Sequence, residues 1–251
     1  MDSTSTISSS IAPLTRPTPQ PHESPSAKAL ISSLSLVKHI EGGYFAELDR
    51  NPWVVPNPFA RVGAGFTGMD TSRLASAEPN RTAPTPLTGN NTIRNASTSI
   101  FYLLTRTTPW GCFHRNKGRT VHTLIRGRGR YVIIHADEGA VGGAQTGFKR
   151  VETFVVGHGF ERGERAVWVV EGGKYKASFL VGGGEGKGKG EEEEEGGEGL
   201  LISETVIPGF EYSDHDFLTL NRFKELVPPE QVEEMKWLIR TGEKPEEKDL
   251  L

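Results

Sequence analysis

The chain has a single cysteine, Cys112, and that scarcity excludes an intrachain disulfide framework and any zinc site built on several thiolates. It has no run of 18 apolar residues, so no segment reads as a membrane-spanning helix. The start lacks the charged-then-apolar pattern of a secretory signal, and its Ser-rich, Arg-poor opening with Asp2 is a weak transit peptide. A cytoplasmic protein is the resulting expectation. Basic charge is not in excess either: 29 Lys and Arg face 32 Asp and Glu, for a formal net charge of −3. A pI near 6.2 gives no electrostatic pull toward nucleic acid. Residues 1–25 are Ser, Thr, Pro and Gln with few large apolar groups. They bury too little surface to offset ordering entropy and are expected to be disordered.

What the chain does have is turn chemistry. Its 30 Gly and 16 Pro suit a β-rich protein. Ser26 is placed to cap a short helix over Ala27–Leu34, followed by a Gly-Gly turn at Gly42-Gly43 that enters a strand. Residues 51–92 show little periodicity and read as a long inserted loop, a candidate lid. Short β-favouring runs then recur: Ser97–Leu104, Phe113–Asn116, Thr120–Ile125, Arg130–His135, Lys149–Val156, Ala166–Val170, Lys174–Val181 and Leu201–Ile207. Such regular short strands indicate a sandwich or barrel. Residues 182–199 form a Gly/Glu/Lys tract whose five adjacent carboxylates, Glu191–Glu195, favour a solvated loop. Pro228–Arg240 carries an apolar stripe and reads as a terminal helix, with a charged tail at 241–251.

Within Phe113–His122 the spacing of a metal-binding pattern survives while its ligands do not. The segment resembles the first motif of the cupin superfamily: two His one residue apart, then a Glu, then a Gly. His114 fits the first His, Asn116 stands at the second, Thr120 at the Glu, and Gly127 fits the Gly. Four segments in order resemble one small cupin family: Leu34–Glu47 (LSLVKHIEGGYFAE), Ser97–Gly127 (STSIFYLL, FHR), Gly163–Ala177, and Val206–Leu220 (VIPGFEYSDHDFLTL). The resemblance implies an all-β fold: one double-stranded β-helix, or jelly-roll barrel, over residues 26–240, with short flanking helices and long inserted loops. It also implies a homodimer that binds a small molecule in the barrel mouth. The departures matter as much. Where the family carries Asp-Glu and Trp-His, this chain has Arg119-Thr120 and His122-Thr123, and the usual His of the second motif falls near Lys176. Among the superfamily's ligand positions only His114 keeps a competent side chain, so no metal and no cofactor are expected.

Strand alternation gives Cys112, His114 and Asn116 a common face on their strand, and Thr120, His122, Leu124 and Arg126 a common face on theirs. If His114 faces the interior, as its motif position implies, Thr120 and His122 do too. Two imidazoles in a partly apolar pocket suit acid–base work, and each also fits a hydrogen-bonded core residue. A metal site rebuilt from His114, His122 and His135 is a further arrangement to check. Tyr102 shares a face with Thr98, Ile100 and Leu104 and offers a hydroxyl, or simply packs. Arg50 and Arg94 flank the inserted loop and suit an acidic ligand, or surface solvation. Thr98, Asn116 and Thr120 complete the candidate ligand contacts. Glu41, Glu47, His39 and His215 read as turn, surface or loop polarity. Cys112 lies about 7 Å along the strand from His114, too far for an activated thiol, and is expected as a small buried residue. Gly127-Arg128-Gly129 reads as a hairpin turn. The expected function is metal-independent binding of a small polar organic molecule, with an isomerase-, epimerase- or lyase-type proton transfer by His114 with His122 or Tyr102. The alternatives are a non-enzymatic barrel with a decayed site, or a metal-dependent oxygenase.

Overall fold

A computed structural model describes residues 14–60, 81–141, 147–181 and 199–242. Its short alternating strands form, in chain order, β1 (Val37–Lys38), β2 (Tyr44–Arg50), β3 (Val54–Pro56), β4 (Ile93–Asn95), β5 (Thr98–Thr105), β6 (Trp110–Asn116) and β7 (Arg119–Gly127). Then come β8 (Gly129–Ile134), β9 (Val151–Val156), β10 (Val167–Val170), β11 (Tyr175–Leu180), β12 (Gly199–Ile207) and β13 (His215–Phe217). One sheet runs β1-β2-β5-β12-β7-β10, the other β13-β6-β11-β8-β9, and β3 pairs with β4 apart from both. All named strand pairs are antiparallel. The two sheets face each other as a jelly-roll barrel, so the fold is all-β.

Alternation decides what the barrel encloses. Tyr102 and Leu104 of β5, Leu124 of β7, Tyr131 and Ile133 of β8, Trp168 of β10 and Leu200 and Ile202 of β12 pack into one inner cluster. The outer face of the second sheet contributes Phe113, Val132, Ile134 and Phe179. It is covered by α2 (Leu220–Leu226) and α3 (Pro229–Met235) through Phe223, Val232 and Met235, and by Leu238 just beyond them. The outer face of the first sheet contributes Leu103 and Leu201, against which α1 (Pro25–Ser33) sets Leu30 and Ile31.

Several local expectations change. Ser24, not Ser26, caps α1, accepting a bond from the Ala27 amide at 3.1 Å. Residues 14–24 are docked despite their composition: the Leu14 amide donates to Glu234 (2.8 Å), and Glu23 accepts from Tyr44 (3.0 Å) and Thr105 (2.7 Å). Hydrogen bonds, the buried Leu14 side chain and Arg16 stacked over Trp110 at 4.8 Å hold a segment otherwise poor in apolar area; residues 1–13 lie outside the described residues. The terminal helix stops at Met235 and tightens into one 3-10 turn at Lys236–Leu238, while α2, with Thr219 as its cap, was not visible in the pattern. Gly127-Arg128-Gly129 is a corner rather than a hairpin, because β7 and β8 belong to different sheets. Gly127 turns that corner at φ +89°, where a Cβ would sit 1.9 Å from the Gly199 carbonyl. The far end of the 51–92 loop is pinned: the Thr82 amide bonds the His215 carbonyl at 2.9 Å and Ala83 bonds Tyr212 at 3.2 Å. Residues 61–80, 182–198 and 243–251, which hold part of the expected lid, nearly all of the acidic tract and most of the tail, lie outside the described residues.

Candidate active site

Inside the barrel the apolar lining is interrupted by two polar clusters. The first follows from strand register. Glu204 of β12 sits opposite His122 of β7, and Trp168 of β10 lies on the other side of the same histidine. Lys176, on β11 of the facing sheet, reaches across, placing its Nζ 2.6 Å from Glu204 Oε2 and 2.9 Å from His122 Nε2. The His122 ring stacks on Trp168 with centroids 4.9 Å apart and planes 7° from parallel. All three polar side chains are buried. Burial raises the Glu204 carboxyl, but the Lys176 ammonium and His122 outweigh it and hold the group far below the usual carboxylate range. Burial and then Lys176 push His122 down, leaving its imidazole neutral at pH 7.

The second cluster centres on a loop carboxylate. The turn between β1 and β2 carries Glu41, and its backbone is pinned to β6 by the bond from the Cys112 amide to the Glu41 carbonyl (2.7 Å). Gly42 makes the turn at φ +105°, where a Cβ would meet the Trp110 carbonyl oxygen at 2.5 Å. The Glu41 side chain thereby points inward. Its Oε1 lies 3.0 Å from His215 Nε2, and its Oε2 lies 3.3 Å from His114 Nε2 and 3.5 Å from His39 Nδ1. The rings of His114 and His215 stack at 5.4 Å. The outer nitrogens are also held: His114 Nδ1 lies 2.9 Å from the Cys112 carbonyl, and His215 Nδ1 lies 2.6 Å from Thr82 Oγ1. Burial would raise the Glu41 carboxyl, but the imidazoles of His114 and His39 and the bond from His215 keep it well below the usual range. Burial drives His114 down to about 3, only partly offset by Glu41.

Tyr102 stands between the two clusters. Its hydroxyl donates to the Gly42 carbonyl at 2.9 Å, and burial, then the charges of Glu41 and Glu204, push its phenol well above 10. A cleft of about 390 Å³ opens beside the second cluster, lined by Arg16, His39, Glu41, Trp110, Trp237 and Arg240 among others.

The structure brings His114, His122 and Tyr102 into one barrel but gives each histidine its own carboxylate. Glu41 and His215, read from the sequence as turn and loop polarity, are buried members of the site, and Lys176 and Glu204 were missed as a pair. A signal for Glu204 exists, since it is the lone charge on the inward face of an otherwise apolar strand, with Leu200, Ile202 and Val206. Nothing local marks His215. His135 does not join His114 and His122: it lies among Glu152, Glu138, Arg150 and Lys174. Asn116 bonds Thr120 weakly at 3.4 Å, leaving the Asn116 Oδ1 buried without a hydrogen-bond partner. Thr98 accepts from the Phe210 amide at 2.9 Å. Arg50 and Arg94 already hold carboxylates of this chain: Arg50 bonds Glu47 at 2.8 and 3.0 Å, and buried Arg94 forks onto Asp214 at 2.6 and 3.2 Å. Burial pushes the half-buried Cys112 thiol up to about 11, so it is no thiolate nucleophile at neutral pH. The superfamily's metal-ligand positions do not fit a cation here, since they hold Asn116, Thr120 and the ammonium of Lys176.

Comparison with known proteins agrees with this architecture. Residues 28–218 match the family described as Cupin superfamily (DUF985). An uncharacterized protein of Saccharomyces cerevisiae, YML079W, is 38% identical over 223 residues, covering 88% of this chain and 89% of that one. Among solved structures, a hypothetical protein from Leishmania major superposes with a TM-score of 0.57 at 24% identity, covering 86% of this chain and 99% of that one. Protein SO0799 from Shewanella oneidensis gives 0.53 at 18% identity, covering 86% and 98%. At these identities the structural likeness speaks to the fold alone.

Proposed function

The chain belongs to the cupin superfamily, in the family described as DUF985, and from that premise we propose that its barrel binds a small polar organic molecule and moves a proton on it. The observation that carries this reading is one inward-facing carboxylate, Glu41, ringed by His39, His114 and His215 at the edge of a 390 Å³ cleft. Arg16 and Arg240 bring positive charge to that cleft, and Trp110 and Trp237 supply flat apolar walls. A ligand with a carbonyl or carboxylate head and a compact body suits such a mouth. The Glu41 carboxylate has lone pairs to take a proton and the Tyr102 hydroxyl, which donates to the Gly42 carbonyl at 2.9 Å, carries one to give; it is their placement that supports this reading. Taking a proton from a carbon beside a carbonyl and returning it to the other face, or to a neighbouring atom, needs no oxidant or reductant. That balance fits an isomerase, epimerase or lyase step.

Native mass spectrometry of the chain as purified, as a proposed homodimer, tests the binding. An organic mass retained by the wild type and lost in Glu41→Gln is the expected result. Solvent deuterium entering that molecule, and failing to enter with folded His114→Ala, supports proton transfer. Retention without exchange favours the second reading, a binding barrel without catalysis, to which the Asn116, Thr120 and Lys176 replacements already point. No retained mass, and no stabilisation by a library of small carboxylates, overturns both.

A further inference from the structure

Three clusters of imidazole and carboxylate occur among the described residues, and two of them contain their own cation. Lys176 Nζ stands between His122 and Glu204, and Lys174 Nζ stands among His135, Asp137 and Glu138 at 2.9 to 3.1 Å. In the third, the ion-pair partners of Glu41 among the described residues are imidazoles alone. We propose that Glu41, His114 and His215 form a site for a divalent first-row transition metal. One donor atom from each residue lies within 4.8 Å of the others, and all three residues are buried.

Proton bookkeeping supports the assignment. His114 Nδ1 faces the Cys112 carbonyl, which only accepts, so this nitrogen carries the hydrogen. In a neutral imidazole the opposite nitrogen is then a bare lone pair, and it faces Glu41 Oε2, another acceptor, at 3.3 Å. Two acceptors pointed at each other repel unless a cation lies between them. His215 bonds Glu41 Oε1 at 3.0 Å through Nε2 and Thr82 Oγ1 at 2.6 Å through Nδ1, and moving its hydrogen to Nδ1 would free the Nε2 lone pair for an incoming metal. An imidazole fixed through its outer nitrogen by a carbonyl or hydroxyl is the usual setting of a ligating histidine. The separations fit as well. His215 Nε2 to Oε1 at 3.0 Å and His114 Nε2 to Oε2 at 3.3 Å are each the spacing of two donors about 2.1 Å from one ion and about 90–105° apart, with the carboxylate offering both oxygens. His39 adds a buried nitrogen, Nδ1, with no hydrogen-bond partner, 3.5 Å from Glu41 Oε2. Two imidazoles and one carboxylate select zinc, cobalt, manganese or iron(II) over calcium or magnesium. Two of the three donors, Glu41 and His215, lie outside the superfamily's motif positions, which is why counting those positions alone predicted no metal.

The inference shares its site with the function proposed above but not its chemistry, since a bound ion makes Glu41 a ligand rather than a base. The full-length chain, stripped with chelator, is titrated with Co²⁺ and then Zn²⁺ by calorimetry and visible absorption. One equivalent is expected to bind, with the absorption of a nitrogen–oxygen site. Losing an outer-shell contact alone weakens metal sites about 10–100-fold, so the near-isosteric Glu41→Gln is expected to lose about 100-fold or more. His135→Ala is expected to bind as the wild type does. Nitrogen-15 spectra of the unaltered chain need no variant to fold: the ring nitrogens of His114 and His215 are expected to shift together as metal is added. Absence of stoichiometric binding, binding indifferent to Glu41→Gln, or a doubly protonated His114 that ignores metal overturns the inference. An organic ligand held and exchanged by metal-free protein refutes the metal site alone. A bound metal with no organic ligand refutes the proton-transfer reading alone.

Discussion

Replacing Lys176 by Met deletes the one cation that Glu204 contacts among the described residues and leaves the carboxylate buried beside a neutral imidazole. Lys176 is 1% exposed and the Glu204 side chain 8%, so solvent has little room to compensate. Breaking one partner of a buried pair costs about 3–5 kcal/mol. For a folded unit of this size, that corresponds to a fall in Tm of about 6–20 °C. The pH dependence carries the sharper test. In the wild type the Glu204 carboxyl lies below its ordinary 4.5, so its stabilising contribution is complete above that value and fades only as pH falls toward the depressed one. Without Lys176 the dominant influence on Glu204 is burial, which raises the carboxyl. The variant then gains stability as Glu204 takes up a proton in acid. The gap between wild type and Lys176→Met should therefore narrow from pH 7 to pH 4. Lys176→Met combined with Glu204→Leu should recover most of the loss, because an apolar pair of similar volume is often no worse than a buried ion pair. Guanidinium denaturation of the wild type, Lys176→Met, Glu204→Leu alone and the double variant at both pH values measures the cycle. A Lys176→Met cost below about 1 kcal/mol at pH 7, or a gap indifferent to pH, would refute the buried pair.

Arg94→Ala should destabilise by about 3 kcal/mol, because it strips a two-pronged partner from buried Asp214 and leaves, among the described residues, Lys117 at 3.3 Å. Arg94→Lys should recover less than half of that in denaturant titrations, since a point charge cannot fork onto both oxygens. Gly42→Ala should cost about 2 kcal/mol or more by calorimetry and should also abolish ligand and metal retention, because the turn that aims Glu41 inward cannot form with a side chain at φ +105°. Glu138 is held at about 2, first by its bonds from Arg150 and then by Lys174. Its contribution to stability is present above pH 4.5 and lost as pH falls through about 2, so Glu138→Gln should flatten the acid limb of the stability curve. The effect should be small, because the pair is screened by solvent.

How far the sequence reaches depends on whether a residue's environment is written in its neighbours. The strands were legible because alternation repeats every two residues, and the same alternation put His114 and His122 on inward faces. The partners of those histidines were not legible. Glu41 meets His215 across 174 positions of chain, and Arg94 meets Asp214 across 120, so no window of sequence shows either contact. Arg94 looked available to a ligand because a lone arginine beside a loop carries no mark of the carboxylate that consumes it. The same limit applies to the proposed metal site. The motif positions hold an amide, a hydroxyl and an ammonium, and a reading confined to them finds one donor. Jelly-roll closure adds donors from the β1–β2 turn and from β13, segments too short or too polar for periodicity to place. The chemistry of this barrel therefore depends less on how many motif residues survive than on which carboxylates have an internal cation. Glu204 has Lys176, and Glu138 has Arg150 and Lys174. Among the described residues Glu41 pairs with imidazoles alone, and a buried anion in that position is the one most responsive to whatever positive or proton-bearing group enters from the cleft.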